Sequence, residues 1–218
     1  MRTENYNRPW YRWAIPLFPP NLTDYEILDL GGGASEMARL VTTRGARVTL
    51  IDNDLDNVNR ARELGIIGIH HDLNFPLPAL KKQQFDGILL LDVIEHIWKA
   101  KELLKQITDL LKPGGFLLLS TPNVAALNKR CRVFFKGEPP FDEGYHQRFF
   151  TVRTLTRLLE QNSLEIQSSN HATMTFGLNR LYRILGRGPI TLRIPGAWEN
   201  LLVRHIVLLA AKRQKEIK

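Results

Sequence analysis

The sequence predicts an α/β fold: a doubly wound sheet of about seven strands, mostly parallel with one antiparallel edge strand, and helices on both faces. Two observations carry this. Short apolar runs alternate with helix-like segments through the first 120 residues, and such alternation calls for parallel strands joined by right-handed helical crossovers. The run Phe85–Leu91, FDGILLL, is too short for a core helix and apolar enough for a strand buried on both faces.

The elements follow in order. A strand at 26–30 empties through Gly31-Gly32-Gly33 into a helix at 35–44. Strand 47–52 (RVTLID) ends in an acid and is followed by a helix at 55–64 and a third strand at 66–70. Strand 85–91 leads to a helix at 99–111, which Lys112-Pro113-Gly114-Gly115 stops before a strand at 115–121. After Thr151 a helix runs to about Gln161 and a strand covers 163–169.

The stretch EILDLGGGASE, Glu26–Glu36, is the most informative of the chain. Glycine lacks a Cβ and tolerates positive φ, so a glycine turn between a strand and a helix lets a ligand approach bare backbone. Dinucleotide sites use a related turn, G-x-G-x-x-G, to seat a diphosphate on the helix N-terminus. Counted from Gly31 and Gly33, the third glycine position is Glu36. A carboxylate there repels a diphosphate and suits a cationic cofactor, which disfavours NAD. Asp52 stands 23 residues beyond Asp29, where a carboxylate can accept both ribose hydroxyls. Asp72, after the third strand, is placed to meet an exocyclic amine.

These residues resemble the class I S-adenosylmethionine-dependent methyltransferases. The resemblance rests on Asp29-Leu30-Gly31-Gly32-Gly33-Ala34-Ser35, Asp52, Asp72, DVIEHI at 92–97 and LKPGGFLLLSTPN at 111–123, in the family's order. It covers roughly residues 27 to 165, and RHIVLLAAKR at 204–213 looks like the family's closing strand, inserted antiparallel beside strand 163–169 at the sheet edge. It implies a Rossmann-like sheet and S-adenosyl-L-methionine as cofactor, held by Asp29, Gly31, Gly32, Gly33, Asp52, Asn53, Asp72, Leu73 and Asp92. Ser35 departs from the third glycine of many members, and a serine there is expected to cap the helix. Residues 120–155 look like the methionine-biosynthesis W proteins and like methyltransferases acting on sugars or lipids. DVIEHI is similar to the ubiquinone-biosynthesis O-methyltransferases.

Methyl transfer is an in-line displacement at an activated sulfonium, so the protein chiefly aligns the reactants and excludes water. A hydroxyl nucleophile also needs a base, and the candidates are His96, just past the fourth strand, and His146 in GYHQRFF. Ubiquinone-type O-methyltransferases and small-RNA 3′-end methyltransferases resemble Asp92-x-x-Glu95-His96 and use a divalent ion there with a further histidine, a part open to His146. Asp92 replaces their glutamate, and the expected site carries no metal. His70, His71, His171 and His205 read as strand-end or core residues without a role.

The chain has 218 residues and 44% hydrophobic content, enough for one domain with a proper core. Substrate-side insertions are expected at about 123–150 and 171–200, the second holding a basic amphipathic helix in FGLNRLYRILGR. The N-terminal NRPWYRWAIPLFPP should be extended and packed, or a lid over the cofactor. One cysteine, Cys131, excludes an internal disulfide, and the polar start MRTENYNRPW is not expected to act as a signal peptide. A cytoplasmic enzyme is the simplest reading. Residues 1–128 hold 14 Lys and Arg against 15 Asp and Glu, whereas 129–218 hold 16 against 7. The basic half suits an anionic small-molecule or lipid-linked substrate and permits peripheral membrane contact, with nucleic acid less favoured. The expected reaction is methyl transfer to oxygen of a small, lipid-linked or sugar-linked acceptor. Its rivals are an RNA methyltransferase and a catalytically silent methyltransferase-like partner protein.

Overall fold

A computed structural model describes residues 11–141, 146–173 and 196–213. Their strands are β1 (Glu26–Leu30), β2 (Arg47–Asp52), β3 (Ile67–His70), β4 (Phe85–Leu91), β5 (Leu111–Pro122), β6 (Leu164–Ser169), β7 (Ala172–Thr173) and β8 (Val203–Lys212). The helices are α1 (Tyr11–Ala14, continued by a 3-10 turn over Ile15–Leu17), α2 (Glu36–Thr43), α3 (Leu55–Glu63), α4 (Ala100–Leu110), α5 (Leu127–Lys136), α6 (Val152–Glu160) and α7 (Gly196–Leu202).

The strands lie in the order β3-β2-β1-β4-β5-β8-β6, with β7 paired to β8. Pairing from β3 through β5 is parallel. β8 inserts antiparallel between β5 and β6, as expected for the closing strand at this end of the sheet. The chain winds outward from β1 to β3, returns to β4 and continues the other way. The crevice between β1 and β4 is therefore the switch point, where doubly wound sheets bind ligands at the carboxyl ends of their strands.

Side-chain alternation divides the core in two. Leu28, Leu30, Ile88, Leu90, Leu117 and Leu119 face one layer, against α4 and α6. Ile27, Leu50, Leu89, Leu118 and Val207 face the other, against α1, α2 and α3. α4 supplies Ala100, Leu103, Leu104, Ile107 and Leu110, the spacing of one helical stripe. α6 starts from a capping box, with Thr154 N donating to Thr151 Oγ1 and Thr151 N to Thr154 Oγ1.

Four local features depart from the sequence reading. Residues 11–17 of the N-terminal segment are helical rather than extended. Tyr11, Ala14, Phe18 and Leu22 are buried in the second core, and residues 11–22 do not line the cofactor cavity, so this part is no lid. β5 begins at Leu111, opposite Phe85, and its register shifts before Gly87 pairs with Phe116, so the expected Lys-Pro-Gly-Gly turn is absorbed within the strand's bounds. Residues 127–136 form a helix inside the substrate-side insertion expected at about 123–150, for which no helix is predicted. Ser35 takes φ 62 and makes no side-chain cap, so the expected serine cap does not form. The amphipathic helix expected around 178–187 lies outside the described residues.

Candidate active site

The glycine turn is shaped by what lies behind it. Gly31 has φ 69, its amide donates to the Ile51 carbonyl at 2.7 Å, and a Cβ on it would stand 2.6 Å from Cγ2 of Val93. A Cβ on Gly32 would stand 2.6 Å from Oδ2 of Asp29 and 2.7 Å from Cδ1 of Leu50. No side chain fits at either position. Asp29 is buried beneath the turn, and neither it nor Gly32 lines the cavity; both act as supports for the backbone that does.

Asp52 ties the turn to the end of β2. Its Oδ2 accepts from the Gly33 amide at 2.9 Å, and its Oδ1 accepts from the Asp54 amide at 2.9 Å and from Asn57 Nδ2 at 3.2 Å. Asp54 in turn caps α3 by accepting from the Asp56 amide. Asp72 forms a comparable turn, its Oδ1 accepting from the Asn74 amide and side chain. These loops surround a cavity of about 430 Å³ lined by Gly31, Gly33, Asp52, Asn53, Asp72 and Leu73, with Asp92, Val93 and His96 on the far wall. Of the expected cofactor residues, seven thus meet at one cavity.

The lining also includes Asp54, and among the described residues it contains no lysine or arginine. Four carboxylates around a space without a cation repel a diphosphate and attract a sulfonium or ammonium. The bare backbone at Gly31 and Gly33 and the acid at the end of β2 fit an adenosine moiety beside that charge.

Asp92 ends β4 in the left-handed region, at φ 58. Its Oδ1 accepts from Ser120 Oγ at 2.7 Å and lies 2.7 Å from Nε2 of His205 on β8. His205 thus has a structural partner that its strand position alone does not reveal. Its neighbour His171 accepts from the Val207 amide through Nδ1 at 3.1 Å. Burial, and then the positive charge of His205, push the His171 imidazole down to about 4.

The two expected bases come together. Gln147 and Arg148 both donate their amides to the Glu95 carbonyl, at 2.8 and 2.9 Å. Arg148 Nε donates to the Ile97 carbonyl at 3.1 Å, and its guanidinium also bonds the Trp98 carbonyl. This latch holds His146 against the turn after β4, where the His96 and His146 rings stack with centroids 5.0 Å apart. Glu95 is buried, and its Oε2 accepts from Thr121 Oγ1 at 2.9 Å. Ligand atoms of Glu95, His96 and His146 lie within 4.8 Å of one another, a grouping able to hold a metal ion. Asp92, engaged with Ser120 and His205, stands outside that grouping, so the ligand set open to a cation differs from the acid-x-x-acid-His pattern read along the chain. Residues 142–145, just before His146, lie outside the described residues.

The fold and the acidic cavity suit a sulfonium cofactor. The chain belongs to the methyltransferase-domain family, whose model matches residues 3–169. It is 34% identical over 151 residues to the ubiquinone biosynthesis O-methyltransferase of Dinoroseobacter shibae, covering 64% of this chain and 59% of that protein. It is 26% identical over 159 residues to the same-named protein of Rickettsia bellii, covering 67% of this chain and 64% of that one. The matched region therefore spans less than two thirds of these relatives. Among solved structures, an S-adenosylmethionine-dependent methyltransferase from Mesorhizobium loti superposes with a TM-score of 0.69 at 16% identity, over 94% of this chain and 98% of that one. A possible histamine N-methyltransferase from Thermotoga maritima gives 0.67 at 18%, over 93% and 86%. Both support the fold.

Proposed function

We propose that this methyltransferase acts on a hydroxyl oxygen of a small, lipid-linked or sugar-linked acceptor, with His96 and His146 as the acid–base pair. The observation that carries this reading is the stacking of these two imidazoles beside the cofactor cavity, one of whose walls is His96 itself. S-adenosylmethionine supplies an electrophilic methyl group on a sulfonium. Asp52 would hold the ribose hydroxyls, Asp72 and Leu73 the adenine, and the Gly31–Gly33 backbone would leave room for the cofactor beside β1. With the cofactor bound, a histidine of the pair would take the proton that the acceptor hydroxyl gives up on methylation. The similarity to ubiquinone biosynthesis O-methyltransferases supports oxygen as the receiving atom.

A second reading of the same residues is favoured by the grouping of Glu95, His96 and His146. These three would hold a divalent cation, which when bound lowers the pKa of a coordinated hydroxyl. His96 and His146 would then be ligands rather than bases.

The test is transfer of a labelled methyl group to a panel of catechols, lipid-linked quinols and sugars, with an RNA oligomer as control, before and after chelation. Transfer to a hydroxyl that His96→Ala and His146→Ala abolish, with S-adenosylhomocysteine affinity retained, is the expected result. Loss on chelation selects the cation reading. Transfer only to RNA, or cofactor binding with no acceptor, would replace the reading by the RNA-modifying or the silent-partner alternative.

A further inference from the structure

The two ends of the sheet carry cavities of opposite charge. The acidic cofactor cavity lies at the carboxyl ends of β1, β2 and β4. A second cavity, of about 930 Å³, opens at the other end. It lies against Gln83 before β4, Pro113 at the start of β5, Gln161 and Ser163 before β6, and Lys212 and Arg213 where the antiparallel β8 closes. It shares no residue with the first.

Hydrogen bonds fix the walls of this cleft to one another. The Gln83 amide donates to the Asp109 carbonyl at 3.0 Å and Thr108 Oγ1 to the Asn162 carbonyl at 3.0 Å. The Arg213 amide donates to the Ser163 carbonyl at 2.9 Å and Lys212 Nζ to the Leu111 carbonyl at 2.7 Å. A cleft held in this way needs little ordering when a ligand enters.

Lys101 and Lys105 of α4, with Lys212 and Arg213, line it against one carboxylate, Asp109. Asp109 is shared with a cation outside the lining, Lys82 at 3.8 Å, and the nearby Lys112 is paired with Asp86 at 2.7 Å. Glu102, Glu160 and Glu165, further carboxylates of the flanking elements, do not line the cleft. Residues 214–218, outside the described residues, hold Lys215 and Lys218 against Glu216. Lys101 and Lys105 stand one helical turn apart, where like charges repel. Burial holds the Lys212 ammonium below its ordinary value, an effect that the charge of Asp109 opposes. An anion among these cations relieves both.

We propose that this cleft is a second ligand site, for a small phosphorylated polyol such as a sugar bisphosphate. The cations meet phosphate oxygens, while the Gln83 and Gln161 amides and the Ser163 hydroxyl meet polyol hydroxyls. Among the described residues no aromatic ring lines the cleft, so a nucleobase has nothing to stack on. The site is independent of the cofactor and the acceptor, so its failure leaves the methyl-transfer reading untouched.

The test is calorimetric titration of the full chain, with and without S-adenosylhomocysteine, using fructose bisphosphate and inositol hexakisphosphate. Fructose, inorganic phosphate and an RNA oligomer serve as comparison ligands. At least one of the phosphorylated polyols is expected to bind roughly tenfold or more tightly than phosphate. Its affinity should be unaffected by S-adenosylhomocysteine and weaker at about 1 M than at about 0.1 M salt. Fructose should give no heat. Lys101→Ala with Lys105→Ala should lower the polyol affinity roughly tenfold or more, with urea midpoint and S-adenosylhomocysteine affinity unchanged. No binding of either phosphorylated polyol would overturn the proposal, as would equal binding by the double variant. Phosphate binding as tightly as the polyols would also overturn it, leaving a site for a free anion. So would tighter binding of the RNA oligomer that the double variant loses, which would assign the cleft to a nucleic-acid backbone.

Discussion

His205 Nε2 lies 2.7 Å from Oδ1 of Asp92, joining two residues 113 positions apart, one on the inserted antiparallel strand and one at the tip of β4. The contact exists because β8 runs back between β5 and β6 and places His205 opposite Pro122, two residues past Ser120. Ser120 donates to the same oxygen. Together they hold a carboxylate whose backbone sits at φ 58, a region that aspartate tolerates at some cost.

Removing the imidazole should therefore loosen both fold and cofactor site. His205→Ala is expected to destabilise the protein by about 2 kcal/mol, the cost of leaving a buried polar group short of a partner. It should also weaken S-adenosylhomocysteine binding, because Asp92 lines the cavity. Urea unfolding and calorimetric titration check the two effects. Unchanged values in both would show that Asp92 is held well enough by its other contacts.

Asp52→Ala removes the acceptor for Gly33, Asp54 and Asn57 at once. The glycine turn and the start of α3 lose their common anchor, and the proposed ribose acceptor goes with them. The expected fall in S-adenosylhomocysteine affinity is roughly 100-fold or more, about 3 kcal/mol. NAD should give no heat with either protein, since the cavity lining holds carboxylates and no cation.

Much of this was legible because the signals are local. The βα alternation, the three glycines and the acids ending β2 and β4 lie in contiguous runs, and their register is dictated by alternation on each strand. The parts that were not legible are set at a distance. The role of His205 depends on where β8 inserts. That of Asp29 depends on Gly32 leaving its carboxylate room behind the turn. α5 was hidden because its apolar residues do not serve the core, so the pattern that marks buried helices is missing. The proximity of His146 to His96 arises from the Arg148 latch onto the loop after β4, a backbone contact with no sequence signature.

Ser35 has φ 62, a left-handed conformation that suits glycine better than serine. Its Oγ is also buried with no hydrogen-bond partner among the described residues. Ser35→Gly relieves the left-handed strain and removes the orphan hydroxyl, effects only partly offset by the greater freedom of glycine in the unfolded chain. A stability gain of about 1 kcal/mol is expected, with cofactor affinity unchanged because Ser35 does not line the cavity. A loss of stability would mean that the hydroxyl has a partner in solution.

His171 predicts how stability responds to acid. Its pKa falls from 6.5 in the unfolded chain to about 4 in the native protein, through burial first and the charge of His205 second. The unfolded state therefore binds a proton more readily than the native state does. The stability associated with the neutral imidazole is fully present above pH 6.5 and is lost as pH falls through the interval down to about 4. The full loss is about 3 kcal/mol. His171→Asn removes the titrating group while keeping an acceptor for the Val207 amide. This variant is expected to be less stable than the parent at pH 7.5 and to show a shallower decline between pH 6.5 and 4 in urea midpoints. Parallel declines in parent and variant would place the acid sensitivity elsewhere in the molecule.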